Sequence, residues 1–571
     1  MTGGEPLPGL EVVVKARVES DLGRAVPSGN ERLRTDIHRP AAGGPWPALL
    51  LRTPYGTAEP VLLKIARILA RNGYAVVLQN VRGRYGSSGS FEPFGHEVED
   101  GRATLEWLAA QPWCDGRVIG WGISYSTYTA AALCVGAPPA GIRLMGVVSV
   151  VGMANPYHHF YRGGAFVLHW ALPWYLLISG PRSRKLEPRS LRLPALGPIE
   201  KIPDALGGSA GLWRDWLRWR SESDEYWRRR DLVPTLVDSR LPMLHIGGWY
   251  DFTIGSTLDL YRAMVASGAP GQRLIVGPWE HNQTAAALFR SLAAEGHDGD
   301  AGRAADAAWL AEEMLGALRA WLGEEALEPR LPVRVWLETG ASGAWRNLES
   351  WPPPPHLGVW YLTSSETGEG RLAAAPSEST WAASLKHDPE DPVPSLGGRC
   401  WAMPGWTSAG PLDQASLATR RDLLMFSSPP LDQPVEICGY PQTVLWIERS
   451  GSAPSDCYAK LVDIHPDGRR TWVADGVLRS AWQAGTPQGR EEVAIELGAV
   501  AHRFDHGHRL GLEVAASSFP QFDRSPENGI LRLFHGAEHA SRLLLPEMTE
   551  HPTRDAAATQ NQENSRWAPF P

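Results

Sequence analysis

Ser124, Asp251 and His281 are side chains of the types that carry out nucleophilic acyl transfer, and each stands where an apolar run gives way to a turn. Around Ser124 the chain reads GRVIGWGISYSTYTAAAL: a β-type run ends in Gly-x-Ser, and a helix-forming segment follows. Such a junction builds a nucleophile elbow. The serine hydroxyl stands above a sheet, the glycine two residues earlier leaves room for the tight turn, and the next helix presents a free N–H to a developing oxyanion. The elbow is usually written G-x-S-x-G, and here Ser126 stands at the final glycine position. A serine nucleophile needs a base, and the base needs an orienting acid. Asp251 follows the run LPMLHIGG in GGWYDF, and His281 follows RLIVG in GPWEHN, giving the chain order Ser, Asp, His. His245 lies inside its apolar run and reads as core. Glu280 adjoins the base, and Asp259 falls in a helical stretch and reads as surface. A lone Asp or His would be structural more often than not, but the two together, in order and at strand ends, have no such simple explanation.

The elements that must position these residues can be read between about 40 and 325. Apolar runs at 47–55, 73–81, 117–124, 143–152, 241–251 and 273–279 alternate with helical patterns such as PVLLKIARILARNG, EVEDGRATLEWLAAQ and STLDLYRAMVASG. Continuous apolar runs alternating with helices imply a parallel sheet covered on both faces, with catalytic loops at the strand C-terminal ends. The alternation breaks between about 155 and 235, a stretch rich in Trp, Arg and Pro with two helical segments, GAFVLHWALPWYLLI and GLWRDWLRWRSESDEYWRR. Beyond about 330, short alternating runs separated by Pro, Gly, Asp and Ser turns suggest a sandwich or jelly roll. The expected fold is therefore an α/β-hydrolase domain (1–154 and 236–328) with a helical cap insertion (155–235). An all-β jelly-roll domain (329–552) and a polar, disordered tail (553–571) complete it.

Composition narrows the function. A net charge of −8 argues against general nucleic-acid binding. Arg-rich YWRRRD reads as a solvated helix face. The five cysteines are scattered with no C-x-x-C pair, so neither a zinc site nor a disulfide framework is expected. The N-terminus lacks a basic start followed by an apolar run, and no stretch reaches about 18 clean apolar residues, so a cytoplasmic protein with no membrane partner is expected. The apolar run FVLHWALPWYLLI can pack on the cap or on another subunit, which leaves a homo-oligomer open.

The chain resembles the cocaine-esterase and X-prolyl dipeptidyl aminopeptidase group of serine hydrolases, which includes the α-amino acid ester hydrolases. The likeness rests on LLRTPYG (50–56), NVRGRYGSSGSF (80–91), EVEDGRATLEWLAAQPWCDGRV (97–118), GISY, GGWYDF and VGPWEH in order, with DEYWRRR at the end of the cap. Downstream, GAWRNLESWPPP, DPEDPVPSLGG, RRDLLMFSSPPL, AKLVDIHPDG and HRLGLEVAASSFPQFDRSPENG match the group's jelly-roll signatures. The resemblance implies an oxyanion hole made of the Tyr55 hydroxyl and the Tyr125 backbone N–H. Without it, Tyr55 reads as a core aromatic beside a turn.

Two departures stand out. Thr127 replaces the glycine of the group's Ser-Tyr-x-Gly. Thr253 and Ile254 occupy the positions where members acting on α-amino acid esters carry acidic residues that bind the substrate ammonium. The second departure favours a plain small-molecule ester over an amine-bearing substrate. The expected activity is carboxylic-ester hydrolysis through an acyl-enzyme, without cofactor or metal. The alternatives are amide hydrolysis (dipeptidyl-peptidase or acylase chemistry) and, from another class, a non-catalytic binding protein on a hydrolase scaffold. Trp170, Trp174, Phe252 and Trp279 are candidate pocket walls, each equally readable as core packing.

Overall fold

A computed structural model describes residues 18–179, 198–202, 210–293, 309–324, 330–339, 343–364, 369–403, 406–450, 456–479 and 489–548. The expected tail at 553–571 and parts of the expected cap lie outside the described residues.

The N-terminal part is built on one twisted sheet. Its strands are β1 (Val18–Ser28), β2 (Glu31–Pro40), β3 (Trp46–Thr53), β4 (Ala75–Asn80), β5 (Cys114–Ile123) and β6 (Arg143–Val150). A short hairpin in the cap supplies β7 (Tyr161–Arg162) and β8 (Ala165–Phe166). The sheet then continues with β9 (Met243–Gly248), β10 (Arg273–Gly277) and β11 (Val333–Thr339). Pairing gives the order β1-β2-β4-β3-β5-β6-β9-β10-β11, antiparallel at β1–β2 and β2–β4 and parallel from β4 onwards. Every residue of β4 and β9 is buried, because helices cover both faces. Alternate side chains divide between the layers. Leu49 and Leu51 join Ile65, Leu69, Leu288 and Leu318 on one face. Ala48 and Leu50 meet Leu105, Leu108 and Leu133 on the other. Strand β1 is polar and largely exposed at the sheet edge, β2 beside it is polar yet mostly buried, and no apolar run marks either in the sequence.

The cap helix Leu168–Ile178 is apolar nearly all round, and all its residues but Leu177 are buried. It packs inside this chain, on aromatic rings of the cap and of the elbow helix. The β7–β8 turn, Gly163-Gly164, docks on the C-terminal region. A side chain at Gly163, which has φ 52°, would sit 1.8 Å from the Val477 carbonyl oxygen, and the Gly163 carbonyl accepts from the Arg479 N–H at 2.7 Å. Arg479 in turn pairs with Asp456 and Asp523 at 2.6 Å, and Asp523 accepts the Phe166 N–H, so a buried ionic cluster pins cap to sandwich.

The C-terminal strands form an antiparallel sandwich around Leu362, Phe426, Leu445, Ile447, Leu461, Leu512, Val514, Leu531 and Leu543. The run PVRVWLET, which by sequence texture groups with this sandwich, is shared. As β11 it pairs with β10 through Leu274–Val333 and with Val500–Phe504 through Glu338–His502, which carries the catalytic sheet into the sandwich. Among the described residues no helix is long and apolar enough to cross a membrane.

Candidate active site

Strand β5 runs through Val118 to Trp121 in the sheet and ends in a sharp elbow. Ser124 has φ 57° and ψ −124°, strained for a residue with a side chain, and a helix (Tyr125–Ala132) begins at once. Gly122 is obligatory, since a Cβ there would lie 2.2 Å from the Ser126 carbonyl oxygen and 2.3 Å from the Thr127 nitrogen. Thr127, in the place of a usual glycine, is accommodated by a gap across from it. Gly152 has no side chain, and a Cβ at that position would come within 2.6 Å of the Thr127 methyl. The elbow thus keeps its shape with Ser126 and Thr127 in the glycine positions.

Three strand ends bring the expected triad together. The Ser124 hydroxyl lies 3.0 Å from His281 Nε2, and His281 Nδ1 lies 3.0 and 3.1 Å from the two oxygens of Asp251. Asp251 is fully buried and also accepts the Thr253 N–H at 2.7 Å, which fixes its carboxylate plane. The rivals are occupied elsewhere. Glu280 accepts the N–H groups of Asn282 and Gln283 and so caps the helix that His281 starts. His245 bonds Gln272 inside the sheet, and Asp259 pairs with Arg262 on an exposed helix face.

Tyr55, just past β3, faces the same open space as Ser124 and receives the Trp174 indole N–H at 3.1 Å. Burial pushes its phenol up to about 12, so it keeps its proton at neutral pH and can act as a donor. The Tyr125 N–H is the first of its helix and has no partner four residues back. Its side chain is anchored: the ring stacks on Phe94 at 4.7 Å, and the hydroxyl donates to Glu97 at 2.7 Å while accepting the Phe94 N–H at 2.9 Å. Burial raises the Glu97 pKa, and the Arg52 guanidinium 3.1 Å away opposes that shift.

Above Ser124 opens a cavity of about 300 Å³ whose walls are mostly apolar. Trp170, Trp174 and Phe252 line it, and Phe252 lies tilted against the His281 ring at 4.5 Å. The two tryptophans stand one helical turn apart on the same face of the cap helix. Trp279 does not reach this space. Its ring folds back over Gly277, filling the volume a side chain there would take, and packs on Trp345 in the layer beneath the sheet. The expectation of Trp279 as a wall is therefore replaced by core packing. Sequence reasoning missed Trp401, whose ring lies 6.3 Å from that of His281 and whose N–H donates to the buried His169. It comes from the C-terminal region, in a loop with no local motif. Glu97 was also missed as the support of Tyr125, although its segment carries family likeness. Among the described residues Glu59 is the one carboxylate lining the cavity.

The contacts from Ser124 through His281 to the buried Asp251 are of a kind that can form and hydrolyse an acyl-enzyme. The chain is similar to known proteins over most of its length. Residues 28–283 match the X-Pro dipeptidyl-peptidase (S15) family, and residues 326–553 match the X-Pro dipeptidyl-peptidase C-terminal non-catalytic domain. The chain is 30% identical over 572 residues to the cocaine esterase of Rhodococcus sp. (strain MB1 Bresler), covering 90% of this chain and 96% of that one. In structure it superposes on an α-amino acid ester hydrolase with TM-score 0.78 at 21% identity, over 95% of this chain and 98% of the other. An aminopeptidase from a marine sediment Thaumarchaeota archaeon gives the same TM-score, 0.78, at 23% identity, over 96% and 98%.

Proposed function

Since the chain belongs to the cocaine-esterase and X-Pro dipeptidyl-peptidase family of serine hydrolases, we propose that it hydrolyses carboxylic esters of small molecules at Ser124. The observation that carries this reading is the continuous chain of contacts from Ser124 through His281 to Asp251. In the acylation step Ser124 Oγ attacks the ester carbonyl, and its proton passes to His281 Nε2. Asp251 accepts the Nδ1–H, holds the useful tautomer and stabilises the imidazolium. The carbonyl oxygen, now negative, is met by the Tyr55 hydroxyl and the Tyr125 N–H. The imidazolium returns the proton to the departing alkoxide, and water repeats the sequence to release the acid.

Esters are favoured over peptides by what surrounds Ser124. The two positions after Phe252 are Thr253 and Ile254, both buried and neither able to pair with an ammonium. The walls next to His281 are Phe252 and Trp401. Among the described residues the one carboxylate lining the cavity, Glu59, lies at its exposed rim, so an ammonium held against the aromatic rings beside His281 would be buried without a partner, which is costly. An uncharged acyl group fits instead.

The test is labelling of wild type and Ser124→Ala with a fluorophosphonate, alongside turnover of p-nitrophenyl acetate and butyrate. Loss of both label and turnover in the variant, the latter by on the order of 10⁶-fold, is expected for a serine nucleophile. Retained labelling in Ser124→Ala would overturn the choice of nucleophile. A preference for substrates with a free N-terminal amine would overturn the ester reading in favour of amide chemistry.

A further inference from the structure

The hydrogen bonds around Ser124 have a direction. Indole Nε1–H can only donate, and an ionised carboxylate can only accept. Trp174 donates to Tyr55 Oη at 3.1 Å, which uses a phenol lone pair and turns the phenolic O–H away from the indole. Tyr55 and Ser124 line the same cavity. Ser124 in turn donates to His281 Nε2 at 3.0 Å, and His281 Nδ1–H donates to Asp251. Trp174 donates to Tyr55 at one end and Asp251 accepts from His281 at the other, each a group with no choice of role, and Tyr55 and Ser124 stand between them on the cavity wall.

We propose that Trp174 is a positioning residue for ester hydrolysis, fixing through its indole N–H the direction in which Tyr55 presents its hydroxyl proton. The proposal rests on the hydrolase reading above. A phenol O–H rotates about its C–O bond, and an unrestrained one divides its time between orientations. With the indole on one side, the remaining orientation points at Ser124 in the resting site and at the carbonyl oxygen once Ser124 has attacked. Tyr55 keeps its proton throughout and moves its hydrogen bond from one oxygen to the other. Donation into the phenol also strengthens the bond it donates onward, as in other hydrogen-bonded chains. The indole is held for this task. It is buried and tilted against Tyr125 at 6.1 Å and Trp170 at 5.2 Å, and it stacks on Trp216 at 5.5 Å.

The test separates this role from simple wall packing. Trp174→Phe keeps a ring and removes the N–H. Exchange of Trp174 for its benzothienyl isostere removes the N–H with almost no change of shape. Loss of a whole oxyanion donor lowers turnover by ~10²–10³-fold, so loss of its alignment is expected to lower kcat for p-nitrophenyl butyrate by about tenfold, with KM within about twofold. In a Tyr55→Phe background, where no phenol proton remains to align, either change at Trp174 is expected to lower kcat by less than about twofold. The proposal is overturned if the isostere keeps wild-type kcat, or if the loss is the same with and without the Tyr55 hydroxyl. Should Trp174→Phe destabilise the fold, the isostere alone decides. Ser124→Ala reports separately on the hydrolase reading: if it retains turnover, that reading fails whatever the Trp174 cycle gives.

Discussion

Acidification from pH 7.5 to 5.0 is expected to cost this protein several kcal/mol through three histidines that do no chemistry. His159, His169 and His245 are enclosed, and burial drives their pKa values down to about 3, 3 and 4. The first two pack edge-on against Phe252, the ring next to His281. Each is neutral in the folded chain at pH 5, whereas an unfolded histidine takes up its proton near pH 6.5. Because the folded value lies below the unfolded one, the stability these groups carry is fully present above about pH 6.5. It drains away as the pH falls towards 4 and then 3. Between pH 7.5 and 5.0 the unfolded state gains about 2 kcal/mol per histidine, about 6 kcal/mol for the three. His245→Gln isolates one of them. His245 Nε2 lies 3.1 Å from Gln272 Oε1, and a glutamine amide can keep that donor without a titrating ring. Urea unfolding followed by tryptophan fluorescence at the two pH values should show the variant losing about 2 kcal/mol less than wild type. The double difference cancels every other titrating group. Equal losses in the two proteins would refute the reasoning, since they would mean that His245 is not held neutral by burial.

Three further outcomes are expected. Glu97→Ala removes the nearer of the two buried carboxylates beside Arg52, leaving Asp100 at 3.8 Å, and removes the acceptor of the Tyr125 hydroxyl, and should cost about 1.5–3 kcal/mol in thermal or urea unfolding. Glu97→Gln, which keeps that acceptor, should retain more turnover than the alanine variant. Trp401→Ala should leave phosphonylation of Ser124 intact while raising turnover of bulkier p-nitrophenyl esters relative to the acetate, because it opens the wall beside Phe252. An unchanged chain-length profile would remove Trp401 from the substrate's surroundings.

The parts of the fold that the sequence discloses are those whose burial leaves a one-dimensional trace. Strands β3 to β6, β9 and β10 are covered on both faces, so they read as unbroken apolar runs, and Ser124, Asp251 and His281 stand just beyond three of their ends. Strands β1 and β2 leave no such trace, because VESDLGRAVPS is an exposed edge strand and its neighbour ERLRTDIHRP, though mostly buried, buries polar residues such as Thr35, Asp36 and His38. Side-chain direction is harder still. Phe252 and Trp279 both sit next to a triad residue or one removed from it, yet one faces the cavity and the other folds under the sheet, where Gly277 leaves a gap for its ring. Trp401 is brought to His281 by tertiary folding alone, and nothing in its own segment tells it from other loop tryptophans. Tyr55 belongs to an intermediate class: its partner Trp174 lies on a cap helix far along the chain, so family likeness could single it out while local pattern could not.

The join between the two halves bears on how such proteins diversify. With β11 belonging to both sheets, Gly163 wedged against Val477, and Trp401 standing over His281, the lining of the cavity is drawn from distant stretches of the gene. Selectivity can then drift through changes in the sandwich while the reacting groups stay untouched. A chimera that took its sandwich from a relative would keep its parent's chemistry and acquire a stranger's appetite, provided the graft respected the shared strand.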